Sequence, residues 1–281
     1  MSVEAYIKQH LKQAVVRKES VSTGLFLADK VWLDNNQTVF VKHQARKSQQ
    51  LILEGQELNL LGKTIHTPKV LASDEYCLIL EWIEVKHNPN LQSQMGVELA
   101  QLHQNTQPFF GFDFDNKIGH TPQPNALGEK IDNWAQFYWQ YRLQYQINLA
   151  KDNHLISEQE YRQLLSIKTL LPTLLDDDIQ PALLHGDLWS GNILSGENNP
   201  YFIDSASYYG HREIDLALTF MFGGFSSEFY DSYNKTYPLS KRFDDRKPLY
   251  MLYHYLNHLN IFGSSYHKNV MHCYNTLPRE N

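Results

Sequence analysis

The stretch His185–Asn192, HGDLWSGN, sets a carboxylate, Asp187, and a carboxamide, Asn192, with four residues between them. Short apolar runs enter and leave it, Ala182–Leu184 before and Ile193–Leu194 after, so the polar octapeptide reads as a loop between two strands. Seventeen residues beyond Asp187, the apolar run Tyr201–Phe202–Ile203 stops at a second carboxylate, Asp204. These residue types suit phosphoryl transfer. A carboxylate orients and finally deprotonates an attacking hydroxyl, and oxygen ligands hold the hard cations that bridge the phosphates. The amide of Asn192 ligates Mg²⁺ without adding charge beside Asp187. On this reading Asp187 is the base and Asn192 and Asp204 are the metal ligands.

Phosphoryl transfer from ATP also requires a lysine on a strand and a glutamate on the helix that follows. Lys42 closes the alternating run Val39–Phe40–Val41–Lys42, and Glu54 lies in the helical pattern of 49–62. Glu57 is the competing acid; about 300° further round the helix, it is offset from Glu54. The run Leu78–Ile79–Leu80 leads to Glu81 and Ile83, whose main-chain groups would bond an adenine edge. A glycine-rich phosphate loop is poorly represented, because residues 19–24, ESVSTG, offer one glycine and three hydroxyls. Trp189, two residues after Asp187, offers a flat apolar face to a bound substrate. His211 and Arg212 read either as contacts to the substrate or as ion-paired scaffolding.

The loop departs from the H-R-D-x-x-x-x-N of protein kinases by carrying Gly186 where the arginine would grip a phosphorylated segment. Only ten residues separate Asp204 from Asp215, too few for a segment that docks a polypeptide. Asp215 itself, in EIDLA, reads as a buttress for the loop backbone or as a plain helix-start acid. A small-molecule kinase fits this pattern better than a protein kinase. The stretches LLHGDLWSGN (183–192) and FIDSASYYGHREIDLA (202–217), with FGFDFDNKIGHTPQPN (110–125) and LAQLHQ (99–104), resemble the fructosamine (ketosamine) kinase family, relatives of aminoglycoside phosphotransferases and choline kinases. The likeness covers essentially the whole chain. It implies ATP-dependent phosphorylation of the sugar 3-hydroxyl of a ketosamine, free or protein-bound, whose unstable product releases the repaired amine. Ser205 stands where a proline is common in that family. The rival readings are a kinase of another small alcohol (an aminoglycoside, choline or a sugar) and a nucleotide-binding pseudokinase.

The elements that must position these residues follow from pattern. Helical spacing runs over 3–17, 49–62, 91–104, 129–151, 157–175, 213–222 and 245–262; strands fall at 30–33, 38–42, 70–72 and 77–83. The expected fold is α+β and bilobal, protein-kinase-like: a small antiparallel-sheet lobe with one inserted helix (1–84), and a larger, mainly helical lobe (85–281). The aromatics Trp134, Phe137, Tyr138, Trp139 and Tyr141 read as helix packing. At 281 residues the chain can fill both lobes, and 42% hydrophobic against 20% charged residues suits a globular protein. A net charge of −6 argues against a nucleic-acid partner. The two cysteines cannot build a disulfide framework or a zinc site, and the thirteen histidines show no metal-binding spacing. Residues 1–18 lack the apolar core of a signal peptide and no run is long enough to span a membrane, so a cytoplasmic protein is expected. Oligomeric state is left open.

Overall fold

The computed structural model describes residues 2–22, 26–86, 88–175 and 178–278. In chain order the first part runs α1 (Val3–Leu11), β1 (Val15–Ser22), β2 (Leu27–Leu33), β3 (Thr38–His43), α2 (Gln50–Leu61), β4 (Val70–Ser73) and β5 (Cys77–Glu81). The strands form one antiparallel sheet in the order β1-β2-β3-β5-β4. Strand periodicity sorts its side chains onto two faces. Val39 and Val41 of β3, with Cys77 and Ile79 of β5, pack under α1 against Val3, Tyr6 and Ile7. On the opposite face Leu78 and Leu80 meet Leu51 and Leu58 of α2. Phe40 and Lys42 share this second face, so the alternation that fills the core also aims Lys42 at α2. The helix expected over 3–17 is shorter than its spacing suggested. Lys12 turns left-handed at φ 59°, and Val15–Ser22 pair with β2.

β5 ends at Glu81, and α3 (Leu91–Leu102) opens the helical part. The stretch read as a loop at 105–128 contains a hairpin, β6 (Asn116–Ile118) and β7 (Thr121–Gln123). The helix expected over 129–151 starts only at Trp134, capped by Asn133, and runs as α4 (Trp134–Tyr138), a π-helical turn (Trp139–Leu143) and α5 (Gln144–Asp152). Then come α6 (Glu158–Leu165), α7 (Leu171–Leu174), β8 (Ala182–Leu183), β9 (Ile193–Ser195), β10 (Pro200–Phe202), β11 (Tyr209–Gly210), α8 (Glu213–Phe222), α9 (Ser227–Thr236), α10 (Phe243–Phe262) and α11 (His267–Thr276). Trp134, Phe137, Tyr138 and Trp139 are buried in the main core with α10 residues such as Tyr250 and Tyr253, as packing rather than a ligand box. Cys77 and Cys273 are buried and unpaired. Among the described residues no helix is long and apolar enough to cross a membrane.

Candidate active site

Lys42 is almost wholly buried, and its Nζ donates to Glu54 Oε1 at 2.6 Å and to Asp204 Oδ1 at 2.7 Å. The lysine thereby joins sheet, helix α2 and the far end of β10 in one contact. Burial opposes its charge, but the two carboxylates outweigh that and hold the ammonium protonated. Burial likewise works against ionisation of Asp204, yet Lys42 beside it keeps its pKa below the ordinary value. Asp204 adopts φ 52°, in the left-handed region, two residues past the end of β10. Its place is set by backbone bonds just before it: Phe202 N donates to His66 O at 2.8 Å, and Ile203 N to Asn192 O at 3.0 Å.

The loop 185–192 hangs between β8 and β9, ending in a 3₁₀ turn at Ser190–Asn192. Asp215, fully buried in the first turn of α8, accepts from His185 N (2.7 Å), Gly186 N (2.8 Å) and His103 Nε2 (3.2 Å). It buttresses the loop backbone. Buried His185 has a lowered pKa; its Nε2–H donates to Ile203 O at 3.0 Å, leaving Nδ1 to accept from Asp187 N at 3.3 Å. Gly186 takes φ +84°, and a β-carbon there would lie 1.9 Å from Ala206 O. No arginine could occupy that position, which is the physical reason the H-R-D pattern is broken here. Asn192 Nδ2 donates to Asp187 O (2.8 Å) and Oδ2 (3.2 Å) and, at 3.4 Å, to Asp204 O, so the amide spans the two acidic residues. Burial, with Asp204 and Asp215 nearby, pushes Asp187 up to about 7 although Asn192 pulls the other way.

A cavity of about 560 Å³ opens over this cluster, lined by Lys42, Glu54, Asp187, Asn192 and Asp204 and, on its outer side, by Trp189, His258 and Phe262. Trp189 is 39% exposed and stands edge-on to Phe222. Its indole lies over Gly191, where a β-carbon would come within 2.2 Å of the ring. Six of the expected residues therefore converge: Lys42, Glu54, Asp187, Trp189, Asn192 and Asp204. Glu81 and Ile83 lie outside this lining; Glu81 ends β5 with Oε1 accepting from Lys69 N at 2.9 Å. Thr23 and Gly24 of the expected phosphate loop lie outside the described residues, and Ser20 sits in β1 bonded to Asp29.

His211 is the correction. It is buried away from the cavity, with Nδ1 2.5 Å from Tyr250 OH and its ring edge-on to Trp134. Burial, with Arg246 and Arg212 nearby, drives its pKa well below the ordinary value, so it is a neutral core histidine. Arg212 is scaffolding as well, bonding Tyr233 OH and Tyr237 O. Sequence reasoning missed the partners of Glu57 and the outer wall at His258 and Phe262. The only signal for Glu57 was a second acid one turn from Glu54.

A lysine–glutamate pair on sheet and helix, facing an Asp-bearing loop and a strand-end Asp, defines a phosphotransferase of the protein-kinase-like class. The fructosamine kinase family model matches residues 1–279. The chain is 38% identical over 232 residues to the chloroplastic protein-ribulosamine 3-kinase of Arabidopsis thaliana, covering 78% of this chain and 70% of that one. It is 30% identical over 314 residues to the ketosamine-3-kinase of Mus musculus, covering 99% and 100%. A crystal structure of a candidate fructosamine-3-kinase from Thermobifida fusca superimposes with a TM-score of 0.91 at 27% identity, covering 98% of each chain. The chain belongs to the fructosamine kinase family.

Proposed function

We propose that the protein transfers the terminal phosphoryl group of ATP to the sugar 3-hydroxyl of a ketosamine. The reading is carried by the convergence of Lys42, Glu54 and Asp204 with Asp187 and Asn192 beneath one cavity. Asp187 orients the hydroxyl and receives its proton as the new P–O bond forms and the bond from the phosphoryl group to the ADP oxygen breaks. Its pKa near 7 suits this exchange at neutral pH. Lys42, fixed by Glu54, holds the phosphates, and Trp189 gives the sugar ring its flat face. Glu81 and Ile83 main-chain groups take the adenine edge.

The donor set fits Mg²⁺. Asn192 commits Nδ2 to Asp187, which keeps its amide oxygen for a cation, and Asp204 commits Oδ1 to Lys42, leaving a second carboxylate oxygen. These are hard oxygen ligands of the kind Mg²⁺ takes. Bound there, the cation would neutralise charge developing on the phosphates. The ketosamine substrate is supported by family membership and by the names of the Arabidopsis and mouse relatives.

The test is a substrate panel of fructosamine and ribulosamine adducts, free and protein-bound, beside aminoglycosides and amino alcohols, with phosphorus NMR locating the product phosphate. Ketosamine turnover with phosphate on the 3-oxygen is expected. Turnover confined to aminoglycosides or amino alcohols would overturn the assignment.

A further inference from the structure

Helix α2 carries two acids three residues apart, and only Glu54 contacts Lys42. Glu57 is 2% exposed, yet both its oxygens are engaged by the other lobe. Oε1 accepts from Asn116 Nδ2 at 2.6 Å; Oε2 accepts from Ser205 Oγ at 2.9 Å and Ser207 N at 3.2 Å. Asn116 extends the grip by donating also to Ser207 O at 2.9 Å. Gln123 donates to Asn116 Oδ1 at 2.8 Å and to Ala206 O at 3.0 Å. On the opposite side Ala206 N donates to His185 O at 2.9 Å, and Ala206 O lies against Gly186. Residues 205–207, which follow the strained Asp204, are thus clamped between the loop of Asp187 and the helix of Glu54.

A buried carboxyl group is a poor device for stability alone, because an apolar side chain would pack α2 without the cost of burying a polar group. Its use is geometric. A left-handed Asp204 costs free energy and persists only where its neighbours dictate it. We propose that Glu57 is a positioning residue, the latch that fixes the Asp204 segment against α2 so that Asp204 and the Glu54–Lys42 pair face the same phosphates. It touches no reacting atom. The proposal rests on the phosphoryl-transfer reading above and adds a residue to it.

The experiment measures ADP binding by calorimetry, with and without Mg²⁺, for the full chain and for Ser205→Ala, Glu57→Gln and the double variant, with thermal unfolding in parallel. Ser205→Ala removes one hydroxyl and keeps the fold, so the test does not hang on Glu57→Gln alone. Each single variant is expected to weaken Mg²⁺-supported ADP binding about three- to tenfold, the worth of one hydrogen bond. Binding without Mg²⁺ should stay within about twofold, and the double variant should be no weaker than the weaker-binding single, as for two ends of one contact. Unchanged Mg²⁺-supported binding in both singles would overturn the latch. So would equal loss with and without Mg²⁺, the mark of a merely structural role, or losses that multiply in the double. If ADP binding by the unsubstituted protein gains nothing from Mg²⁺, the phosphoryl-transfer reading itself falls, and the latch with it.

Discussion

At the scale of single residues, the active cluster rests on one acid whose pKa is raised towards neutrality and one glycine whose place any side chain would strain. Asp187→Asn keeps the side-chain shape and the backbone bonds of the loop but removes the proton acceptor. Turnover is expected to fall by about 10²- to 10⁴-fold while ATP affinity stays near that of the parent protein, read by steady-state kinetics and calorimetry. Unchanged turnover would end the base assignment. In the parent, kcat/KM should rise as pH passes upward through about 7, where Asp187 sheds its proton. Gly186→Ala acts on shape instead. At φ +84°, with Ala206 O 1.9 Å from the added carbon, it should cost about 2–4 kcal/mol, visible as a lower urea midpoint.

At the scale of elements, the key unit is β3 with α2. Alternation along Val39–Lys42 was readable, and it places Lys42 on the same face as Leu78 and Leu80, opposite Glu54. Lys42→Met should therefore cost about 3 kcal/mol, since it strands the buried Glu54 carboxylate. Lys42→Met with Glu54→Leu should recover most of that stability in urea unfolding while turnover stays down by at least about 100-fold. Recovery of activity with stability would refute the phosphate-holding role. What the sequence left hidden has physical causes. Ala14 and Val15 fall on a helical period with Tyr6 and Leu11 by coincidence, and pairing with β2 overrides it. Helices α9 and α11 bury only short faces, Phe229 and Tyr233 in one and Val270, Cys273 and Tyr274 in the other, so their apolar stripes are too thin to stand out. The Glu57 contacts were out of reach because Asn116 lies 59 positions away and Ser205 148. His211 looked chemical because it sits in a polar run, YYGHRE, but a run carries no depth, and depth decides whether a histidine is a ligand or a core member.

At the scale of the whole molecule, the same burial that shapes the cleft fixes how stability responds to pH. His103, His185, His211, His254 and His258 are all held below the ordinary histidine pKa by burial, His254 to about 3. The unfolded chain binds protons on these side chains below about 6.5 while the folded protein resists. Their contribution is therefore complete above that value and lost as pH falls. Asp187 and Glu57 act in the other direction. Burial raises them to about 7 and about 8, so between their ordinary values near 4 and those raised values the folded protein retains protons that the unfolded chain has released. Stability drawn from them is lost as pH rises through that window. The two sets oppose each other across the acid range, and only the carboxyls still act above about 6.5. Urea midpoints measured from pH 4.5 to 9 should peak between about 6.5 and 7 and decline on both sides. Asp187→Asn and Glu57→Gln should each flatten the alkaline limb and steepen the acid limb, because each removes a group that opposes the histidines there. A midpoint that climbs steadily to pH 9 would mean that these two carboxyls are ionised in the folded protein throughout, and that the cleft is wetter than its geometry implies.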